Sequence, residues 1–279
     1  MKSIKLKKLL LLSFILTGLI FVSCNCNKCN EDQKSKKDTT LRKLVTDIEV
    51  IKLNNAKFVD AEILMGAGKL KISDGATDLL EAGFAFTYKE FKGNIKYEVI
   101  DEKGRLKIIQ PSSNKNFNIK NHRIKGYKNI WDLRFNKNVP MNMLIKLGAG
   151  DAEININELL IEKLDLKLGA GKADINLNNS KILKRVDVEM GVGDLTLDLT
   201  GDWKHNLSAE IDGGIGQLTL ILPEKVGVKA KIEKGLTDIN VDKFIKDGKY
   251  YYNESFNKDK PYIKIKINTG IGQVNLEMR

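Results

Sequence analysis

The sequence predicts an all-β protein built as a β-solenoid with about 22 residues per coil, and three observations predict it. First, one phrase recurs seven times: an alternating strand, Gly-apolar-Gly, then a second alternating strand. It reads EILMGAGKLKI from Glu62, MLIKLGAGDAEINI from Met143, LDLKLGAGKADINL from Leu164 and VDVEMGVGDLTLDL from Val186. It returns as SAEIDGGIGQLTLIL from Ser208, KAKIEKGLTDINV from Lys229 and IKIKINTGIGQVNLEM from Ile263. Second, Gly148, Gly169, Gly191, Gly214 and Gly235 follow one another at spacings of 21, 22, 23 and 21 residues. Third, the phrase has the period of a strand: Leu164, Leu166 and Leu168 alternate with Asp165 and Lys167, so one face is apolar.

Composition bounds the alternatives. The 279 residues are 42% hydrophobic and 30% charged, the balance of a folded body. With 23 glycines and only 4 prolines, neither collagen nor a Pro-rich linker fits. Two His and three Cys leave little for a His-based catalytic site or a multi-ligand metal cage.

The elements follow in chain order. Residues 1–23 read as a lipoprotein signal helix. Lys2, Lys5, Lys7 and Lys8 form a basic start, and Leu9 to Val22 is an uncharged apolar run. That run is short for a membrane span and of the length of a signal-peptide core. Ser23 then precedes Cys24, which resembles the lipobox of bacterial lipoproteins, although Phe21 stands where that motif usually has Leu. The resemblance implies cleavage before Cys24, acylation of its thiol and a membrane-lipid partner; two or more acyl chains are needed for stable anchoring. The alternatives are an uncleaved anchor or simple secretion. Removing the leader takes four lysines and no acid, lowering the net charge from +11 to +7. A basic body at a membrane could meet anionic head groups or wall polymers, but charges of mixed sign suit a solvated surface, and export disfavours nucleic acid.

Residues 24–45 are polar and read as a flexible tether. Cys26 and Cys29 lie within it; with no fourth ligand nearby, they read as spare thiols rather than a metal site. Residues 46–140 form an N-terminal portion, with an apolar element over Leu79 to Phe91 and a strand-turn-strand over Ile95 to Gln110. Its turn is expected at Glu102-Lys103-Gly104, and the Asn/Lys-rich Ser112 to Lys128 reads as a surface loop.

Residues 141–279 carry the solenoid repeats. Corner glycines are Gly66 and Gly68, Gly148 and Gly150, Gly169 and Gly171, Gly191 and Gly193, Gly214 and Gly216, Gly235, and Gly270 and Gly272. Such pairs allow positive φ or close approach of backbones, and the apolar residue between them is expected to point inward. Each coil is expected to stack on the one before it. A meander of antiparallel hairpins is the rival, but the joint suits a bend better than a reversal. The insert 242–261 holds Tyr250, Tyr251, Tyr252 and Phe256, which read as a cap on an exposed sheet end or as a sugar-stacking platform.

In combination, GAGKLKISDGATDLLEAGFAF, GRLKIIQ, WDLRFNKNVPMNMLIKLGAGDAEI and the GAG, GVG and GIG coils resemble bacterial toast-rack domain proteins. These are similar here to the extracytoplasmic part of LiaF-like cell-wall stress proteins. The resemblance spans roughly residues 45–279 and implies a right-handed, single-stranded β-solenoid. It supplies no catalytic residues. LiaF-like members carry a membrane-helix bundle, which this sequence does not show, so their signalling role transfers poorly. Gly235-Leu236-Thr237 departs from the paired-glycine pattern, implying a different corner there.

Chemistry is sparse. Asp151, Asp174 and Asp194 follow successive corners and could form an acidic, cation-binding ladder, but Lys69, Lys172 and Gln217 occupy equivalent positions. His122 and His205 have no acid-nucleophile pattern around them and read as surface residues. The expectation is therefore a non-enzymatic, extracytoplasmic surface lipoprotein without cofactor or metal, binding envelope polymers, adhering or sensing stress with a membrane partner. The alternative is a carbohydrate-active enzyme with an acidic cleft beside the insert.

Overall fold

A computed structural model describes residues 43–111 and 127–279, which lie within one compact unit, Thr40–Arg279. The leader, Cys24, Cys26, Cys29, His122 and most of the tether and of the Ser112 to Lys128 loop lie outside the described residues.

The described residues are all-β apart from one 3₁₀ turn, Lys89–Phe91. Five long strands carry the repeat in sequence: β7 (Met141–Asn155), β8 (Ile161–Asn176), β9 (Arg185–Asp198), β10 (Leu207–Leu222) and β11 (Gly227–Val241). β2 (Phe58–Asp74) precedes them and β14 (Tyr262–Met278) ends the chain. All pair in parallel with their neighbours, so the meander is excluded. Gly150 stands opposite Gly171, Gly171 opposite Gly193 and Gly193 opposite Gly216.

Each long strand bends at its glycine corner into two arms. In β8 the first arm buries Leu164, Leu166 and Leu168, and the second buries Ala173 and Ile175. The chain then returns without strand structure, burying Leu177 and Leu183. One contiguous core lies between the arms and the returns. The returns also stack, with Leu177 N–H donating to Asp198 O at 2.9 Å and Leu199 N–H to Ile221 O at 2.8 Å. Every rung therefore satisfies backbone groups that a lone coil would leave unpaired.

Two expectations fail at this level. The middle residue of each corner points outward, not inward. Ala149 and Ala170 are exposed, and Val192, Ile215 and Ile271 are 51%, 52% and 51% exposed. Regular alternation from Leu168 would place Ala170 inside. The corner instead shifts the phase by one residue, so the next inward side chain is Ala173. Gly171 sits within that shift at φ +139°, a backbone conformation that glycine adopts at low cost.

The stacking order also departs from sequence order. The sheet runs β10-β14-β11, so the C-terminal strand lies between β10 and β11. β11 becomes the last long strand of the stack, and its corner is the atypical one. Thr237 has no positive φ, and its hydroxyl donates to Gly270 O at 3.2 Å. Without the positive φ of the other second corner positions, Thr237 keeps its place opposite Gly272 of β14.

At the other end β2 carries a different neighbour on each arm. β5 (Lys103–Ile109) pairs in parallel with its first arm and β6 (Asn129–Phe135) with its second. β4 (Asn94–Ile100) pairs antiparallel with β5. β3 (Leu80–Phe86) pairs antiparallel with β6, and β1 (Val45–Ile51) with β3. The β4–β5 turn lies at Asp101-Glu102, one residue earlier than expected. Both have positive φ, 49° and 60°, which suits a two-residue hairpin loop. Gly104 lies instead within β5, where a Cβ would sit 2.7 Å from the Tyr97 hydroxyl. Trp131 and Phe84 meet edge to face at 5.5 Å in this end of the core, and the Trp131 indole N–H donates to Phe91 O.

Candidate functional site

The paired glycines are there for stacking. The first of each pair brings backbones together: a Cβ on Gly169 would sit 2.4 Å from Gly148 O. The second combines that approach with positive φ, at Gly68, Gly150, Gly171, Gly193, Gly216 and Gly272. Gly66 differs, since a Cβ there would make ordinary contact with Gln110. A groove of about 1260 Å³ runs along the first glycines, from Gly66 through Gly148, Gly169, Gly191 and Gly214 to Gly270. One wall changes sign along its length, from Lys146 and Lys167 to Glu189, Asp212 and Glu233. Lys167 and Glu189 pair at 2.6 Å, and that bond raises the lysine's pKa. Beside the groove runs the ridge of outward corner residues, ending at Leu236, which is 80% exposed.

The aspartates do not form one ladder. Asp151 and Asp194 share a row with Lys172 between them, while Asp174 lies in the adjacent row opposite Glu153 and Thr196. Lys172 pairs with Asp174 at 3.0 Å. Lys69, and then Lys71, hold the Glu153 carboxyl below its ordinary pKa. Such alternating rows are exposed ion-pair networks of modest worth. His205 is not a plain surface residue. It is half-buried, with Nε2 2.8 Å from Leu183 O and its ring edge-on to Trp203 at 5.8 Å.

The aromatic insert forms a hairpin, β12 (Phe244–Asp247) and β13 (Tyr250–Asn253), on the outer edge of β11. Tyr252, Tyr251 and Tyr250 stand opposite Lys229, Ala230 and Lys231. The two-residue period sorts the tyrosines. Tyr251 packs against the core, whereas Tyr250 and Tyr252 share the outer face with Lys229. The Lys229 ammonium lies 4.3 Å from the Tyr250 ring centre and 5.6 Å from that of Tyr252. Phe256 joins this outer row at 4.8 Å from Tyr252, and Tyr262 of β14 follows at 5.2 Å from Phe256. Gly227 makes room for the junction, because a Cβ there would meet Phe256 Cα at 3.0 Å and Tyr262 Cβ at 3.2 Å.

Buried Asn253 fastens the hairpin. Its Oδ1 accepts from Val228 N–H at 2.8 Å, and its Nδ2 donates to Val226 O at 2.8 Å. The sequence pattern does not mark Asn253 or Lys229 as site residues. Tyr262 has a sequence signal, as an aromatic just outside the insert. Asn253→Ala strands the Val228 N–H and Val226 O, a loss of about 1–3 kcal/mol. The expected result is accelerated hydrogen exchange across β12, β13 and the start of β11. Unchanged protection there would remove the clamp assignment.

Among the described residues no group of three or more His, Cys, Asp or Glu is arranged to hold a metal ion. No described helix is long and apolar enough to cross a membrane.

Comparison with known proteins places this architecture. The family model for the N-terminal domain of toast_rack, DUF2154, matches residues 34–182 and 179–221. No curated protein matches. A solved structure from Clostridium sporogenes ATCC 15579, assigned as a cell adhesion protein, is 29% identical, with a TM-score of 0.63. The alignment covers 85% of this chain and 100% of that one. A structure from Bacteroides fragilis NCTC 9343, assigned as an adhesin, is 15% identical with a TM-score of 0.28, over 84% of this chain and 97% of that one.

Proposed function

Because the chain belongs to the toast_rack family through its N-terminal domain, we propose that it is a non-enzymatic, lipid-anchored scaffold that binds material at the cell envelope. The observation that carries this reading is the likeness to the Clostridium sporogenes structure assigned as a cell adhesion protein. The physical rationale is consistent with it. A solenoid core is stiff because each rung is fixed by its neighbours, and its outer rows offer long, regular surfaces rather than a closed catalytic cleft.

In this reading the coils wind right-handed, one strand each, with about 22 residues per coil. Residues 1–23 are removed on export, Cys24 carries the lipid, and residues 24–45 lift the body from the membrane surface. Residues 46–140 form the toast-rack portion, and residues 141–279 present the repeats. Envelope polymers are the first choice of partner and a membrane stress-response protein the second.

The test is attachment of cells to purified cell-wall polymer. Cells carrying the chain are expected to attach, and cells lacking it to fail. Cys24→Ser should abolish metabolic fatty-acid labelling and release the body into the medium, taking attachment with it. Equal attachment with and without the chain overturns the scaffold reading; label persisting on the variant overturns the anchor site.

A further inference from the structure

We propose that the outer face of the terminal rungs, where the rings of Tyr250, Tyr252, Phe256 and Tyr262 line up beside Lys229 and Lys264, is a binding site for an acidic polysaccharide. The proposal rests on the surface-binding reading above and names the ligand class that this face would take.

The row spans three pieces of backbone: β13, the segment after it, and β14. Successive ring centres are 6.1, 4.8 and 5.2 Å apart. All four rings are partly exposed. An aromatic face is electron-rich, so it receives the C–H face of a sugar ring, whose hydrogens carry slight positive charge. The spacing is comparable with the length of a pyranose unit, and a row of rings can follow a chain of them.

Charge selects an acidic chain. Lys264 stands opposite Lys229 on the neighbouring strand, and Lys266 opposite Lys231. Lys266 is engaged by Glu210, and Lys231 by Glu233. Lys229 and Lys264 have no carboxylate partner among the described residues. Lys229 lies against the tyrosine faces, so a carboxylate or sulfate on a stacked sugar would meet an ammonium group. Lys249 adds a third cation, 5.7 Å from the Tyr250 ring centre.

A single-stranded nucleic acid is the competing polyanion, and the geometry disfavours it. Base stacking needs open ring faces along the strand. Here the rings lean on one another at 48°, 50° and 81°. Rings turned against one another at these angles offer no parallel series of faces for successive bases, whereas a sugar unit needs one exposed face at a time.

The experiment measures binding of the full chain in detergent to polygalacturonate, neutral dextran and oligo-dT. Polygalacturonate is expected to bind, with dextran and oligo-dT at least tenfold weaker. The pair Tyr250→Ala and Tyr252→Ala should weaken polygalacturonate binding at least tenfold. The pair Lys229→Gln and Lys264→Gln should weaken it several-fold and flatten its salt dependence. Lys246→Gln, on the opposite face against Tyr251, should leave binding unchanged. Thermal melts verify that each variant is folded. Failure to bind polygalacturonate, binding indifferent to both pairs, or tighter binding of oligo-dT through the same residues overturns the proposal. Wall attachment that persists in the tyrosine variant removes this site and leaves the scaffold reading intact. Polymer binding by a chain that confers no attachment removes the scaffold reading instead.

Discussion

Gly171→Ala is expected to lower the melting temperature by about 10 °C or more, or to prevent folding. Two independent penalties act at this position. The backbone has φ +139°, a region that essentially only glycine occupies at low cost. The new Cβ would also lie 1.8 Å from Gly150 O and 2.8 Å from its carbonyl carbon. Neither atom belongs to a side chain that can swing away. Relief requires β7 and β8 to separate at the corner, yet Gly150 and Gly171 are in register within a continuous ladder. Strain of about 1–3 kcal/mol adds to the loss of ladder hydrogen bonds and core contacts at the corner. Gly83→Ala is the matched control: a Cβ there meets Asp132 O at 3.5 Å, an ordinary contact, and no positive φ is involved. Its melt should stay close to that of the parent. If Gly171→Ala melts with the control, corner-against-corner stacking is wrong.

The same corner explains what the sequence could and could not reveal. The alternation of Leu164, Leu166 and Leu168 is set by the two-residue period of an extended chain, so the inward face of the first arm was legible. The same alternation does not extend to the far arm. The corner shifts the phase by one residue, and sequence alternation alone carries no record of that shift. Ala170 and Ile215 therefore face solvent where the pattern pointed them inward. Strand order was obscured for a related reason. Seven similar phrases make every rung a plausible neighbour of every other, so repeat order does not dictate spatial order. Thr237 marks β11 as an atypical rung, but a missing second glycine does not by itself say where in the stack that rung lies. At the candidate site, the Tyr250-Tyr251-Tyr252 run was visible, but its division between two faces depends on pairing with β11. Asn253 gave no local sign, because its three bonding partners lie at least 25 residues away.

Leu166→Asp is expected to unfold the body near neutral pH. Leu166 is 0% exposed and lies in the apolar face of β8, with Ile145 opposite it on β7 and Val188 on β9. Removing the leucine forfeits roughly 1.5–3 kcal/mol of apolar burial. A carboxylate in its place has no cation on the inward face of either neighbouring strand, and an uncompensated buried charge costs several kcal/mol more. Together these approach the whole stability of a typical domain, about 5–15 kcal/mol. Asp165→Asn, one residue away on the outer face, should change little. The defect should also depend on pH. Burial raises the carboxyl pKa in the folded state, so that state binds a proton more readily than the unfolded chain does. Folding of the variant, relative to the parent, should therefore improve as pH falls and worsen as it rises. Circular dichroism of both proteins across that range, with urea melts at each pH where the variant is folded, measures the gap. A variant as stable as the parent, or a gap that widens in acid, would mean that the first arm of β8 does not turn this face toward the core.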